Sequence, residues 1–404
     1  MLGRYHSQVL IVGAGPVGLF TALRLAERDV RVAIVDKHWR TGAHSYALAL
    51  HPRSLEMLDE MGLAGPLVER GHRIDEVAFW HEGSERAVVR FAELGGSFPF
   101  ALVMPQARLE DDLEKALRRH KVKVRWNHRL DSFLTEGDEI VADVAELDQV
   151  AAGYPIARLE WMVVRSFSHR AGYLVGADGY HSSVRRRLGV DFSANGPLDT
   201  YAVFEFQSPT APDHRLRVVV DDGLASAMWP MLDGRSRWAF QLAGDERPET
   251  GRDLLNRLID ERAPWYGRVD GDIYWSSLVQ FDRRLAAGLG RGRTWLAGDA
   301  VHLGSPVGVQ SMNSGLLDGR ELADALTAAL GGDTAAPSRY AARRLSELTP
   351  LFGGSDGFIP GDGCDAFVRE HRREIVGAIP ATGEQLERLA AQIGLVPTGR
   401  GSSA

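Results

Sequence analysis

The feature that most constrains this chain is Gly13-Ala14-Gly15-Pro16-Val17-Gly18, set between an apolar run and a helical one. Gln8–Val12 reads as a buried strand, and Pro16–Arg28 as a helix with Leu19, Ala22, Leu23 and Ala26 on one face. Arg31–Val35 reads as a second strand, ending at Asp36 and Lys37. In a G-x-G-x-x-G turn the first glycine permits the tight bend, the second lets a pyrophosphate approach the backbone, and the third brings the helix close to the sheet. The helix N-terminus then faces the phosphates, and Asp36 can accept a ribose hydroxyl. The pattern predicts an α/β dinucleotide-binding core without choosing between NAD and FAD.

Farther along, Pro52–Met61 reads as a helix closed by Gly62, Ile74–Trp80 and Ala87–Phe91 as strands, and Gln106 to His120 as a helix. Tyr173–Val175 reads as another short strand, entering the basic helix Ser182–Leu188. From 198 to 280 the character changes to strand-like runs at Tyr201–Phe206, Arg215–Val220, Ala225–Trp229, Arg237–Leu242 and Tyr274–Val279, with one helix at Arg252–Arg262. This predicts a second, mainly antiparallel domain inserted into the first. The first resumes at Thr294–Ala297, passes through a Gly/Pro loop at Ser305–Gln310 and enters a helix over Asn313–Leu330. Helical stretches at Ser338–Leu348 and Glu384–Ile393 follow.

Two later segments narrow the cofactor. Gly176-Ala177-Asp178-Gly179, continuing through His181-Ser182-Ser183-Val184-Arg185, is one; Gly298-Asp299-Ala300-Val301-His302, continuing to Ser305-Pro306-Val307-Gly308, is the other. With the N-terminal fingerprint they resemble the three signatures of the single-component flavoprotein monooxygenases, the family of p-hydroxybenzoate hydroxylase and the polyketide aromatic hydroxylases. The resemblance covers roughly residues 8 to 330. It implies a Rossmann-like FAD-binding domain (1–72, 100–190 and 281–330), an inserted antiparallel-sheet substrate domain (73–99 and 191–280) and a C-terminal helical region (331–404).

Carried over by position, the resemblance gives Asp299 the FAD ribityl chain and Gly298 the turn before it. Asp178 and Gly179 would contact pyrophosphate and nicotinamide cofactor, and Gln106 would reach FAD. Pro306, Gly308, Met312 and Asn313 would line the flavin ring through backbone groups, consistent with a Gly/Pro loop feeding a helix N-terminus. Arg237 is the candidate for an arginine carried towards the flavin. Trp229, Trp238 and Phe240 are candidates for an aromatic substrate wall, with aromatic core as the competing reading for each. Arg185-Arg186-Arg187 offers either a phosphate-attracting patch or a solvated helix face.

Departures from the family pattern matter too. Tyr46 stands where arginine is usual, Val309 and Ser311 interrupt the usual Gly-Gly-Gln-Gly run, and Ala239 replaces a tyrosine that receives a substrate carboxylate. The expected substrate is therefore a bulky phenolic or polycyclic metabolite rather than a simple hydroxybenzoate. The implied reaction uses NADH or NADPH and O2, through a flavin C4a-hydroperoxide, to hydroxylate an aromatic ring. Alternatives on the same scaffold are Baeyer–Villiger oxidation, epoxidation, isoprenoid reduction, or a non-catalytic carrier. His44, His51 and His302 lie near the cofactor loops, where a structural histidine is the commoner outcome.

Composition excludes other classes. A formal charge of −7 with no long basic stripe argues against a nucleic-acid partner. The one cysteine, Cys364, supplies neither an internal disulfide nor a cysteine zinc site, and no metal-ligand spacing stands out. No apolar run of about 18 residues occurs, so the expectation is a cytoplasmic protein without a membrane span, monomeric or homodimeric. The chain ends about seventy residues past the long helix, so a thioredoxin-like extension is expected to be absent.

Overall fold

The computed structural model describes residues 5–39, 49–152, 158–244, 248–353 and 357–398. At its centre lies the strand Tyr5–Val12, parallel to Val32–Val35 on one side and to Arg158–Gly176 on the other. Val124–Arg125 and Thr294–Leu296 extend this parallel layer outward. Val9, Leu10 and Ile11 are wholly buried, as the continuous apolar run of a strand covered on both faces requires. The helix Pro16–Ala26 packs against Gln310–Leu330 and Gln106–Arg119, which bring two distant cofactor-loop segments to the same strand ends.

One strand is far longer than its sequence pattern shows. Tyr173–Val175 is the last part of Arg158–Gly176, whose residues from Arg158 to Ala171 pair antiparallel with Glu139–Ala152. That ribbon runs beyond the body of the sheet, and Trp161, Met162, Val163 and Val164 are all about half exposed. Period-two patterning records a buried face; the inner part of the ribbon has one, at Ile140, Ala142, Val144, Phe167 and Ala171, and the outer part around Trp161–Val164 has none.

The second sheet has the order Ile273–Phe281, Asp199–Gln207, Arg235–Leu242, Leu224–Pro230, Arg215–Asp221, Glu76–His81, Ser84–Arg90. It is antiparallel apart from the parallel pairing of Arg215–Asp221 with Glu76–His81. Side chains alternate between two cores. Phe204, Phe206, Trp238 and Phe240 pack beneath the helix Arg252–Arg262. Tyr201, Val203, Trp229 and Ala239 face the opposite way, towards Val307, Val309 and the C-terminal segment.

That C-terminal segment is shared between layers rather than forming one helical unit. Ala336, Tyr340, Leu348 and Phe352 of the helix Ala336–Phe352 join the first core. Beyond it an antiparallel pair, Phe358–Pro360 with Leu395–Pro397, and the helices Ala366–Glu370, Arg372–Ala378 and Gly383–Ala391 cover the second sheet. Strands of three residues are too short to show a period, which is why sequence reasoning missed this pair.

Candidate functional site

The glycine turn is built as its spacing demands. Gly13 sits at φ +106°, and a Cβ there would lie 2.1 Å from the carbonyl oxygen of Ala177; one on Gly18 would lie 2.0 Å from the carbonyl oxygen of Gly13. Those two glycines let strand, turn and helix close on one another. Gly15 and Gly179 instead face open space. Asp36 ties the turn down: one carboxylate oxygen accepts the Ala14 N–H at 2.8 Å and the other the His38 N–H at 2.8 Å. Each oxygen keeps a second lone pair for a ribose hydroxyl. Lys37 is exposed beside it.

In front of this turn lies a cleft of about 390 Å³, lined by Gly15, Pro16, Gln106, Gly179, Asp299 and Pro306, with Met312 at one end. Sequence positions from four separate regions therefore converge. Asp299 is half-buried and makes no hydrogen bond among the described residues; burial pushes its carboxyl above the usual range, His302 opposing. The backbone before it is held from behind: Gly298 N–H donates to Asp318 at 3.0 Å, the same oxygen accepts His302 Nε2 at 2.8 Å, and the other accepts Arg344 Nε at 2.9 Å. Burial works against the Asp318 carboxylate, yet His302 and Arg344 hold its carboxyl below the ordinary range.

Several expectations are corrected here. The carboxylate of Asp178 is consumed as the cap of the helix Ser183–Leu188, accepting the Ser182 hydroxyl at 2.5 Å and the Ser183 N–H at 2.6 Å. What faces the cleft from that motif is Ala177 and Gly179. Arg185 is neither a phosphate hook nor a solvated side chain: it is buried over the Phe192 ring and donates to the carbonyls of Ala300 and Tyr180. Arg186 and Arg187 are exposed, in keeping with the solvated helix face, and Arg186 donates to the carbonyls of Ser182 and His181. Arg237 lines neither cavity; its Nε donates to Glu205 at 2.7 Å, the cross-strand neighbour. Trp238 and Phe240 stack 4.6 Å apart in the core behind the sheet, and Trp229 is buried in the core in front of it. None of the three lines either of the two cavities at this site, and all are core. Alternation decided this: Trp238 and Phe240 share one face, and Arg237 and Ala239 the other.

The loop after Pro306 is locked from three sides. His51 Nε2 donates to the Gly308 carbonyl at 2.9 Å, and a Cβ on Gly308 would meet the Gly377 carbonyl oxygen at 2.3 Å. Asn313, fully buried, accepts from His51 N–H and the Ser54 hydroxyl while donating to the carbonyls of Ala49 and Val309. Gln310 donates to the carbonyls of Val376 and Ile379. His51 is a structural histidine: burial lowers its pKa to about 3, against the Gly308 bond. Val309 adopts φ +51°, ψ +37°, which starts the helix at Gln310 rather than Asn313. Tyr46 and His44 lie outside the described residues.

A second, larger cavity of about 880 Å³ adjoins the first, and Gly304 and Ser305 line both. Its walls include Asp199, Tyr201, Gln241 and Arg283 from the second sheet and its margin, with Phe358 and Val376 of the C-terminal segment opposite. Tyr201 is buried, its hydroxyl 3.2 Å from Ser305 Oγ, and burial holds its ionisation well above the usual range. Sequence reasoning missed all of these. The available signal was the alternation Asp199, Tyr201, Val203, which puts a carboxylate and a phenol on one face of a strand flanked by aromatic core. Among the described residues no group of three or more His, Cys, Asp and Glu side chains is placed to hold a metal.

A family model described as an FAD binding domain matches residues 6–346. The chain is 31% identical over 353 residues to a 6-methylpretetramide 4-monooxygenase of Streptomyces rimosus, covering 84% of this chain and 59% of that protein. The chain spans roughly half to two thirds of the length of the curated relatives it matches. Among solved structures, aklavinone-11 hydroxylase in complex with FAD and aklavinone superposes with a TM-score of 0.64 at 27% identity, over 82% of this chain and 64% of that one. p-Nitrophenol 4-monooxygenase from Pseudomonas putida superposes with a TM-score of 0.71 at 22% identity, over 96% and 97%. At that identity the second likeness speaks for the fold.

Proposed function

The chain belongs to the family of the FAD binding domain, and from that premise we propose that it is an FAD-dependent monooxygenase that uses NAD(P)H and O2 to hydroxylate a bulky phenolic or polycyclic aromatic compound. The observation that carries the reading is the junction of the two cavities at Gly304 and Ser305: a nucleotide cleft opens directly onto a chamber large enough for several fused rings. The residues present fit FAD. Gly15 and Gly179 leave open space where a side chain would block a pyrophosphate, and Asp299 offers a carboxylate with no hydrogen-bond partner among the described residues to a ribityl hydroxyl.

Bound there, FAD supplies the chemistry that activates dioxygen at the expense of NAD(P)H, one oxygen atom going to the ring and the other to water. The chain's own groups bind, orient and enclose. Gly13 and Gly15 place the N-terminus of the helix Pro16–Ala26 at the phosphates. The N-terminus of the helix Gln310–Leu330 directs its positive end at the cleft, favouring negative charge there. Phe358 and Val376 supply apolar wall to the chamber, which favours an aromatic substrate over water there. Tyr201, neutral and fixed by Ser305, presents a hydroxyl to the substrate side of the junction.

The division into a nucleotide domain (1–72, 100–190, 281–330), a substrate domain (73–99, 191–280) and a C-terminal region (331–404) is part of this proposal, supported by the separate parallel and seven-stranded sheets; two small sheets, joining Phe192–Ala194 to Arg284–Ala286 and His72–Ile74 to Ala101–Val103, cross its bounds. A cytoplasmic location and a monomeric or homodimeric state are also part of it; among the described residues no helix is long and apolar enough to cross a membrane. The test is to supply the FAD-loaded protein with NADPH, 18O-labelled dioxygen and a panel of polycyclic phenols. One labelled oxygen atom in a recovered phenol supports the reading. NADPH-dependent conversion without label in the product rules it out.

A further inference from the structure

We propose that Asp199 is the proton acceptor for the substrate's phenolic hydroxyl, a carboxylate held in the larger cavity by Gln241 and, among the described residues, without an ion pair. This assignment rests on the hydroxylase reading above and names the base which that reading needs.

Asp199 opens the strand Asp199–Gln207 and lies directly across from Phe281, which lines the nucleotide cleft. Two residues on and on the same face, Tyr201 reaches Ser305, which lines both cavities. Asp199 itself lines the substrate chamber, on the same strand face as the Tyr201 that reaches the junction.

Orientation follows from a short chain of bonds. The Ala225 N–H donates to Gln241 Oε1 at 2.9 Å, which fixes the amide so that Gln241 Nε2 donates to Asp199 Oδ1 at 3.0 Å. Both residues sit on strands, so the carboxylate is held by a rigid scaffold. No other hydrogen bond and no ion pair engages Asp199 among the described residues, which leaves Oδ2 available to a ligand. A half-buried carboxylate with a spare oxygen in an aromatic-sized chamber is suited to accept an O–H.

The surrounding charges suit the role. Burial pushes the Asp199 carboxyl above the usual range, with Arg283 and Gln241 opposing and Asp282 adding to it, which brings its proton affinity closer to that of a phenol. Arg283 lines the same chamber without an ion pair among the described residues and favours negative charge on either partner. The other charged or titratable groups facing the chamber are Tyr201, Arg372, Arg373 and Glu374. Tyr201 is held neutral and can donate but not accept as a base. Glu374 is the rival carboxylate; it sits in the first turn of the short helix Arg372–Ala378, with no pinned amide comparable to Gln241.

In the step itself the substrate O–H bond breaks, the proton passes to an Asp199 oxygen, and the electron pair stays on the substrate oxygen. That pair enriches the ring carbons ortho and para to it, where an electrophilic oxygen is accepted. Asp199 later returns the proton to water or product.

The experiment uses the FAD-loaded protein and 1,8-dihydroxyanthraquinone, a polycyclic phenol whose neutral and ionised forms absorb in different visible bands. Probe-stimulated NADPH oxidation and the spectrum of the bound probe are followed against pH for the wild type, Asp199→Asn and Glu374→Gln. For Asp199→Asn we expect a loss of about a hundredfold in kcat near neutral pH, recovering with pH as the phenol ionises unaided. The bound probe should also ionise at lower pH in Asp199→Asn, because a neighbouring negative charge is gone. An Asp199→Asn enzyme with the wild-type pH profile and probe spectrum, or one matched in its losses by Glu374→Gln, overturns the assignment. A wild type that oxidises no NADPH in response to the probe, or to any phenol of the panel, overturns the hydroxylase reading and this assignment with it.

Discussion

The hydroxyl of Tyr201 lies 3.2 Å from Oγ of Ser305, bridging the substrate-side sheet to a loop that lines both cavities. A bond of this kind sets the position of one chamber wall relative to the cofactor loop. Tyr201→Phe keeps the buried ring and removes only the hydroxyl, so the protein should lose no more than about 1.5 kcal/mol of stability. Phenol-stimulated turnover should fall several-fold more than the KM for NADPH changes. Denaturant melts and steady-state kinetics measure the two effects separately, and a stability loss without a kinetic one would assign the bond to the fold alone.

Asp318 is the centre of a buried network that holds the turn carrying Asp299. Asp318→Asn leaves Arg344 buried with a weaker partner, although Glu347 and the Ser314 carbonyl still engage that guanidinium. A cost of roughly 3 kcal/mol is expected, together with weaker FAD uptake as the Gly298–Asp299 turn loosens. Thermal unfolding and a fluorescence titration with FAD test both parts.

Val309 carries a β-branched side chain in the left-handed region, at φ +51°, a conformation that costs roughly 1–2 kcal/mol outside glycine. Val309→Gly therefore exchanges lost burial for relieved strain and should change stability by less than about 1 kcal/mol. Val307 is equally buried without that conformation, and Val307→Gly should cost about 3 kcal/mol. Equal losses in paired urea melts would contradict the strain at Val309.

Two buried histidines predict an acid-labile fold. Burial lowers His51 to about 3 and His169 to about 4. The unfolded chain binds protons at these sites near pH 6.5 while the folded one does not, so their contribution is intact above that value and declines as pH falls towards the folded values. Going from about pH 7.5 to about pH 5 should cost on the order of 2 kcal/mol per histidine. His51→Gln, which keeps a donor for the Gly308 carbonyl, should flatten the pH dependence of denaturant stability; an unchanged slope would remove His51 from the account.

How much was legible in the sequence follows from the range of the interactions involved. The glycine turn is local, so six residues specify its geometry, and Gly15, Pro16, Gln106, Gly179, Asp299, Pro306 and Met312 all line the cleft. Asp178 and Arg237 belong to the right segments, but their bonding partners decide what they do, and Ser182, Ser183 and Glu205 consume them. Trp238 and Phe240 read as a substrate wall in sequence because aromatic type is visible there, while the face of a doubly buried strand is not. The substrate chamber was least legible: Asp199, Ser305 and Val376 are brought together only by the packing of three distant segments.

On the reading proposed above, the cleft before Gly15 and Asp299 holds FAD and passes electrons from NAD(P)H to dioxygen. That reading is tested most directly by the visible spectrum of the purified, FAD-supplemented protein, recorded under nitrogen before and after NADPH with a phenol present, and again after air is admitted. Flavin bands near about 375 and about 450 nm should bleach with NADPH and return with air. A protein that stays colourless after FAD is added, with Asp299→Ala indistinguishable from the wild type in an FAD titration, would contradict that reading.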